Sequence, residues 1–336
     1  MEFEPKKIAC LPPGQLASAF AVHLSRLGHE VRLGFRTPEA AETFQRTHRL
    51  PDDRRLPNII FPDNVKGVYD PKELFDDIDI VVFAPPAQRL REYLERLSPY
   101  WPNEAFIVVG SKGIELHTHK LMSEVVREIQ PQVSRLAVLS GPNLATLIAQ
   151  GKPTGTVIAA DKADVIRPIG SAFEGNGFVV EASRDFIGVQ LVGALKNVGA
   201  LATGMCNGME LDDNAESYIA RLALQDITRI TLAAGGHLLT LLGPAGFGDI
   251  YLSWAKQATR NFKTGVRIGR GEPLEKVFAT TETVEGLYTA RSAVELASAL
   301  GVKVPVLEGV HKILIGELTP YQAYQQITEQ RFKVRR

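Results

Sequence analysis

The chain changes character across Gly177-Phe178-Val179-Val180-Glu181-Ala182-Ser183-Arg184-Asp185-Phe186-Ile187-Gly188-Val189-Gln190-Leu191-Val192-Gly193-Ala194-Leu195-Lys196-Asn197. Residues 177–181 alternate like a strand, and from Phe186 a long apolar stretch takes up helical spacing. Before this point strand-like and helix-like segments interleave; after it nearly everything reads as helix. The turn at residues 182–185 is therefore the expected boundary between two domains, 1–185 and 186–336. The same stretch sets Lys196 among small and apolar neighbours. A lysine there loses hydration, which disfavours the ammonium and lowers its pKa toward the range useful in proton transfer. An ordinary helix lysine with an apolar stem fits the residue taken alone. Its company changes the reading: Gly246-Phe247-Gly248-Asp249 and Thr259-Arg260-Asn261 add a carboxylate and a cation in loop or helix-start settings. Together they point to a site that binds a small phosphorylated substrate and moves a proton on it.

Working outward, residues 7–11 form a short apolar run, followed by a turn and an amphipathic helix to about Leu27. Val31-Arg32-Leu33-Gly34 reads as the second strand. Further strands are expected at 68–69, 78–84, 105–110, 136–141 and 156–161, with helices at 88–97 and 120–129 among them. Continuous apolar strands interleaved with helices imply a mostly parallel sheet covered on both faces. The expected fold is thus α/β: an N-terminal Rossmann-type, doubly wound domain followed by an all-helical C-terminal domain.

A chain of 336 residues exceeds one ordinary core. Its 45% hydrophobic and 23% charged residues are average for a globular protein, and Lys+Arg and Asp+Glu both number 38. No global field favours nucleic acid or a membrane surface. The apolar runs are strand-length, so no membrane insertion is expected, and acids in Met1-Glu2-Phe3-Glu4-Pro5 argue against a signal peptide. Cys10 and Cys206 fall in an expected inner strand and core helix, which favours two buried, reduced thiols and a cytoplasmic setting.

The first strand-turn-helix is the place for a dinucleotide fingerprint, G-x-G-x-x-G or G-x-G-x-x-A. The chain has Pro12-Pro13-Gly14-Gln15-Leu16-Ala17 instead. Gly14 holds the second glycine position, where a pyrophosphate must approach, and Ala17 is small enough for helix-on-sheet packing. Pro12 replaces the first glycine, and the proline pair removes two backbone N–H donors. A plain strand-to-helix turn remains open from these six residues alone. After the second strand, Gly34-Phe35-Arg36-Thr37 has no acid to accept from a ribose 2′-OH. Arg36 suits a 2′-phosphate or an adenine face, so NADP is favoured or tolerated; a solvated helix-start arginine is the plainer alternative.

At this point the sequence resembles the soluble NAD(P)-dependent glycerol-3-phosphate dehydrogenases, from about Lys6 to Leu318. The motifs that carry the resemblance include Ser111-Lys112-Gly113-Ile114-Glu115, Leu139-Ser140-Gly141-Pro142, Gly193-Ala194-Leu195-Lys196-Asn197-Val198, Ala245-Gly246-Phe247-Gly248-Asp249, Arg260-Asn261 and Val284-Glu285-Gly286, all in order. The resemblance implies a Rossmann-type domain plus a helical domain. It also implies interconversion of dihydroxyacetone phosphate and glycerol 3-phosphate for phospholipid synthesis, with NAD(P)H as cofactor, and a possible homodimer. It implies Lys196 as general acid/base, Asp249 as the carboxylate that orients it, and Lys112 as a second lysine near carbonyl and cofactor. Substrate contacts carried over are Gly141, Asn143, Ser253, Thr259, Arg260 and Asn261, with Lys112, Lys196 and Asp249. Cofactor contacts are Gly14, Gln15, Leu16, Arg36, Lys112, Ala145, Arg260, Thr283 and Glu285; no metal is implied.

Four places depart from the family pattern. The first fingerprint glycine is Pro12, followed by Pro13. The usual Gly-Pro-Ser reads Gly141-Pro142-Asn143. Leu-Thr-Cys and Ser-Arg-Asn-Arg read Leu252-Ser253-Trp254 and Thr259-Arg260-Asn261-Phe262, which adds the bulk of Trp254 and removes a cation at Phe262. Two other readings stay open. A related 2- or 3-hydroxy-acid dehydrogenase would bind a carboxylate where Arg260-Asn261 suits a phosphate. A catalytically weakened nucleotide- or metabolite-binding homologue would account for the proline pair.

Overall fold

The structure, a computed structural model, describes residues 4–52, 54, 56–256, 259–280 and 284–329. Strands and helices alternate as β1 (Lys7–Leu11), α1 (Gln15–Arg26), β2 (Glu30–Gly34), α2 (Pro38–Thr47), β3 (Val65–Val68), α3 (Pro71–Phe75), β4 (Ile80–Phe83), α4 (Leu90–Leu97), β5 (Phe106–Val109), α5 (Met122–Ile129), β6 (Leu136–Ser140), α6 (Ala145–Ala149), β7 (Thr154–Ala159), α7 (Ala163–Phe173) and β8 (Phe178–Ser183). One sheet holds all eight strands in the order β3-β2-β1-β4-β5-β6-β7-β8. The chain moves outward from β1 in both directions, so a crevice opens beyond the C-terminal ends of β1 and β4, where doubly wound sheets bind ligands.

The strands are apolar on both faces because helices cover both. Ile8 and Cys10 point into one core with Phe20, Leu24 and Phe173, while Ala9 and Leu11 point into the other with Phe83, Leu94 and Ile107. The sheet is mostly parallel, as expected, with one antiparallel pairing near an edge. β1 to β6 are parallel neighbours, but β7 pairs antiparallel with β6 and β8 follows β7 in parallel. The apolar composition of residues 156–161 marked a strand without fixing its direction, and the strand starts two residues earlier, at Thr154. The strand expected at 68–69 is likewise displaced, to Val65–Val68.

From Phe186 the chain is helical: α8 (Phe186–Gly208), α9 (Asp213–Ala233), α10 (Arg260–Gly269), α11 (Leu274–Thr280), α12 (Glu285–Ala299), α13 (Pro305–Leu314) and α14 (Pro320–Thr328). Residues 238–255 between α9 and α10 form short 3₁₀ and π turns, kinked at Gly246. α8 is the axle of this half. It is long and apolar enough to cross a membrane, yet 94% of its most apolar window is buried in protein, as befits a core helix. α10 lies backbone to backbone against it: a Cβ on Gly204 would sit 2.2 Å from the Phe262 carbonyl oxygen, and one on Gly265 2.4 Å from that of Leu201. Cys10 and Cys206 are buried free thiols, whose ionisation burial disfavours.

Candidate active site

The N-terminus of α8 is fixed by Asp185. One carboxylate oxygen accepts from the Gly188 N–H at 2.8 Å, and the other accepts from the His237 N–H at 2.8 Å and from the Thr240 hydroxyl. The cap therefore ties α8 to the start of the irregular segment that carries Asp249. Three turns along α8, Lys196 lies 6% exposed between that segment and the sheet. Its Nζ donates to Asp249 Oδ1 at 2.9 Å and to Ser253 Oγ at 2.7 Å. Lys112, in the loop after β5, reaches the same carboxylate from the sheet side, 2.7 Å from Oδ2, and donates to the Gly141 carbonyl at 2.8 Å.

One buried carboxylate thus holds two ammonium groups, one from each half of the molecule. Burial opposes the charge on Asp249, but Lys112 and Lys196 overcome it and hold its pKa below the usual carboxylate value. For Lys196 burial dominates in the other direction: loss of hydration, with Lys112 adding repulsion, pushes its pKa down against the pull of Asp249. A lysine lowered in this way gives up its proton more readily than an exposed one. An ammonium has three N–H bonds, and among the described residues only two of those on Lys196 find partners.

The walls of the crevice come from several loops. Gly141, at φ +141°, turns its carbonyl toward Lys112; a Cβ there would lie 3.1 Å from the Gly155 carbonyl oxygen. Asn143 accepts from the Thr156 hydroxyl at 3.2 Å, while its Nδ2 is buried with no partner among the described residues. Glu285, at the start of α12, accepts the Ala87 N–H at 3.0 Å, and its other oxygen is buried with no partner among the described residues. Burial raises its pKa to about 7, against the opposing effects of the Ala87 N–H and the Arg260 charge.

The same crevice fits a nicotinamide dinucleotide. Gly14 caps α1, and a Cβ added to it would meet only the Pro12 carbonyl oxygen, at 4.0 Å, so the turn leaves open space at the helix N-terminus. Gln15 and Leu16 begin α1, Ala145 begins α6, and the orphaned Glu285 oxygen can receive a donor such as a carboxamide N–H. The proline pair leaves Gly14 in place, with its N–H donating to the Pro12 carbonyl at 2.7 Å.

Two family descriptions match the chain almost end to end: NAD-dependent glycerol-3-phosphate dehydrogenase N-terminus over residues 7–166 and its C-terminus over residues 185–325. The chain belongs to the NAD-dependent glycerol-3-phosphate dehydrogenase family. A glycerol-3-phosphate dehydrogenase [NAD(P)+] of Symbiobacterium thermophilum is 37% identical over 95% of this chain and 93% of its own length. One from Streptomyces griseus is 35% identical over 99% of each. The crystal structure of glycerol-3-phosphate dehydrogenase from Coxiella burnetii superposes with a TM-score of 0.90 at 31% identity, covering 97% of this chain and 99% of that one.

Several residues behave differently from what the family pattern led one to expect. Asn261 spends its side chain on structure: Nδ2 donates to Asn197 Oδ1 at 3.0 Å and Oδ1 accepts the Gly286 N–H at 2.9 Å, joining α8, α10 and α12. What it offers an anion is its place in the first turn of α10. Thr259 caps that helix by accepting the Phe262 N–H at 3.4 Å, and Arg260 follows, exposed. Phe262 is not pocket lining; it is 1% exposed in the core of the helical half. Trp254 does not crowd the crevice either, since its ring lies on α8 at Gly199, where a Cβ would fall 2.1 Å from it. Thr283 lies outside the described residues. Arg36 follows β2 and stacks over Tyr93 at 5.2 Å. Neither Asn197 nor Tyr93 was among the sequence candidates, and only their three-dimensional neighbours distinguish them.

Proposed function

We propose that the chain interconverts dihydroxyacetone phosphate and sn-glycerol 3-phosphate with NAD(P)H, and that its product feeds glycerophospholipid synthesis. The observation that carries this reading is the shared carboxylate, Asp249, bonded to Lys112 on one oxygen and Lys196 on the other. The dinucleotide, when bound, supplies the hydride that reduces the ketone carbon. The remaining demands are protonic and electrostatic. Lys196 gives its proton to the ketone oxygen as negative charge develops there, and takes it back in the reverse direction. Asp249 holds that ammonium in place, Ser253 supplies its second partner, and Lys112 adds positive charge beside the same oxygen. Gly141 and the unpartnered Asn143 amide line the side where substrate hydroxyl groups need partners. Arg260, with Thr259, Asn261 and the first turn of α10, binds the phosphate dianion. Gly14, Gln15, Leu16, Arg36, Lys112, Ala145, Arg260, Thr283 and Glu285 hold the dinucleotide.

In this reading residues 1–185 form the dinucleotide-binding domain and 186–336 the substrate domain, with the catalytic lysines facing one another across their junction. A cytoplasmic location agrees with the two free buried thiols, and a homodimer through the helical half is the accompanying expectation. The test is consumption of NADPH or NADH with dihydroxyacetone phosphate, unphosphorylated dihydroxyacetone and a 2-oxo acid in parallel. Dihydroxyacetone phosphate should exceed the other two in kcat/KM by about a hundredfold or more, because only it engages the phosphate site. Faster turnover of the 2-oxo acid would favour a hydroxy-acid dehydrogenase. Dinucleotide binding without turnover of any of the three would favour a non-catalytic homologue.

A further inference from the structure

We propose that residues 238–251 form the surface through which two copies of this chain pair, and that pairing steadies the segment that holds the general acid. This surface gives the homodimer expected above its place, and only the effect on turnover rests on the dehydrogenase reading. Leu238, Leu239, Leu242, Phe247 and Tyr251 are between 48% and 76% exposed. The Gly248 N–H donates to the Gly243 carbonyl at 3.3 Å, which closes the loop between Leu242 and Phe247. Phe247 in turn stacks on Tyr251, with ring centres 6.0 Å apart. Ile187 and Leu232, also exposed, stand at the flank. A Cβ on Gly236 would lie 2.9 Å from the Gly188 Cα, so the start of α8 meets the turn after α9 there.

Five large side chains so exposed present on the order of 500 Å² of apolar surface, near the top of the about 300–600 Å² that the largest patch of a monomer reaches. With Ile187 and Leu232 the area approaches the ~800 Å² that each partner gives to a standard interface. The chemistry of the patch selects a like copy. In a chain that is 23% charged, residues 230–255 contain one charged residue, Asp249, and it is buried. A lipid surface is held by cations around an apolar face, and a transient partner of another kind by a polar rim; this stretch offers neither. A two-fold axis sets an apolar patch against itself with no like charges opposed. The inner face of the same segment is already packed, with Leu241, Ala245, Ile250 and Trp254 buried, while Asp249 and Ser253 hold the Lys196 ammonium. Between the two faces the backbone runs in short 3₁₀ and π turns, non-helical at Gly246 (φ −93°, ψ −105°). Short irregular turns are fixed by packing more than by their own hydrogen bonds. A copy lying on the outer face therefore restricts the carboxylate that orients the general acid.

The experiment follows assembly by sedimentation velocity, and turnover of dihydroxyacetone phosphate, on the same samples of the whole chain. The parent should be a dimer at micromolar concentration. Leu239→Glu combined with Leu242→Glu sets like charges against one another across the axis and should give a monomer that still melts cooperatively, because both positions are exposed. Its kcat should be about tenfold lower, the effect of loosened catalytic geometry, with KM little changed. Leu242→Ala, which trims the patch without adding charge, should pair more weakly, and its kcat should rise with concentration as its dimer fraction does. Tyr321→Glu, at an exposed position on α14, should stay dimeric with the parental kcat. A monomeric parent, or a doubly charged variant that still pairs, would overturn the surface. A monomeric variant with parental kcat would overturn the effect on catalysis. Co-sedimentation of the parent with phosphatidylglycerol vesicles, lost in the doubly charged variant, would assign the patch to lipid instead. If the assembly results held and the parent turned over no dihydroxyacetone phosphate, the dehydrogenase reading would fail and the pairing surface would stand.

Discussion

Trp254 Nε1 donates a 2.8 Å hydrogen bond to the backbone carbonyl of Lys196, the residue whose Nζ is held by Asp249 and Ser253 from the same irregular segment. Residues 249–254 therefore grip Lys196 at both its side chain and its main chain, and Gly199 makes room for the indole. A shift of α8 along its axis would change both contacts at once, so the tryptophan sets the register between general acid and carboxylate. Trp254→Phe keeps an aromatic ring but removes the donor and part of the buried ring volume, at a stability cost of about 2–4 kcal/mol. It should lower kcat by about tenfold, since small misplacements of reacting groups are expensive, with KM for the phosphorylated substrate little changed. Steady-state kinetics beside a melting curve checks this; an unchanged kcat with a lowered Tm would make the contact purely structural.

The buried ammonium of Lys196 bears the proton-transfer role most directly. Lys196→Ala should reduce kcat by about two to four orders of magnitude and leave dinucleotide affinity within a few-fold. Its removal also leaves Asp249 with Lys112 alone, so the carboxylate stays paired and the fold survives. Turnover near that of the parent chain would transfer the proton to another donor, with Lys112 the next candidate by geometry.

Much of the fold was legible because it depends on local pattern. Apolar runs such as Ile80–Phe83 and Phe106–Val109 can only be inner strands of a sheet covered on both sides, and the unbroken apolar stretch of α8 can only be a core helix. Strand direction was not legible: β7 reads the same in sequence whether it runs with β6 or against it. In the site, Lys196 and Asp249 could be picked out by residue type and setting. Their mutual bond, the reach of Lys112 across 137 residues and the Glu285–Ala87 contact across 198 could not. Long-range pairings of this kind are set by how the two halves pack, and no period in the sequence records that. Trp254 is the clearest case, since as a departure from a family pattern it looked like added bulk, and in space it is a tether.

Glu285 makes stability depend on pH in a direction opposite to most carboxylates. Burial raises its pKa from 4.5 to about 7 in the folded chain. Between those values the folded state holds a proton that the unfolded state has released, so stability is greatest below about pH 4.5 and falls until about pH 7 as far as this group is concerned. Asp226, raised by burial from 3.8 to about 6 against the N–H groups of Val306 and Leu307, contributes in the same sense and finishes earlier. Glu285→Gln keeps an acceptor for the Ala87 N–H and cannot ionise. Urea midpoints measured from about pH 5 to about pH 8 should therefore show a decline for the parent chain that is shallower in the variant, with most of the difference between about pH 5 and 7. Superimposable profiles would show that Glu285 does not titrate in this window.

Gly14 offers a way to separate fold from binding at the cofactor turn. Its backbone, at φ −83° and ψ 175°, is extended and open to any residue, and an added Cβ would meet only the Pro12 carbonyl oxygen at 4.0 Å. Gly14→Val should therefore leave Tm within a degree or two of the parent, because nothing in the chain is displaced and no left-handed conformation is lost. The new methyl groups would instead stand at the α1 N-terminus, in the space a pyrophosphate must enter to reach the helix N–H groups. Affinity for NADPH should drop by about a hundredfold, the loss expected when charge-assisted hydrogen bonds are blocked. Fluorescence titration and a thermal melt on the same preparation decide the matter. Lost stability with retained affinity would mean that the glycine serves the turn and that the dinucleotide lies elsewhere.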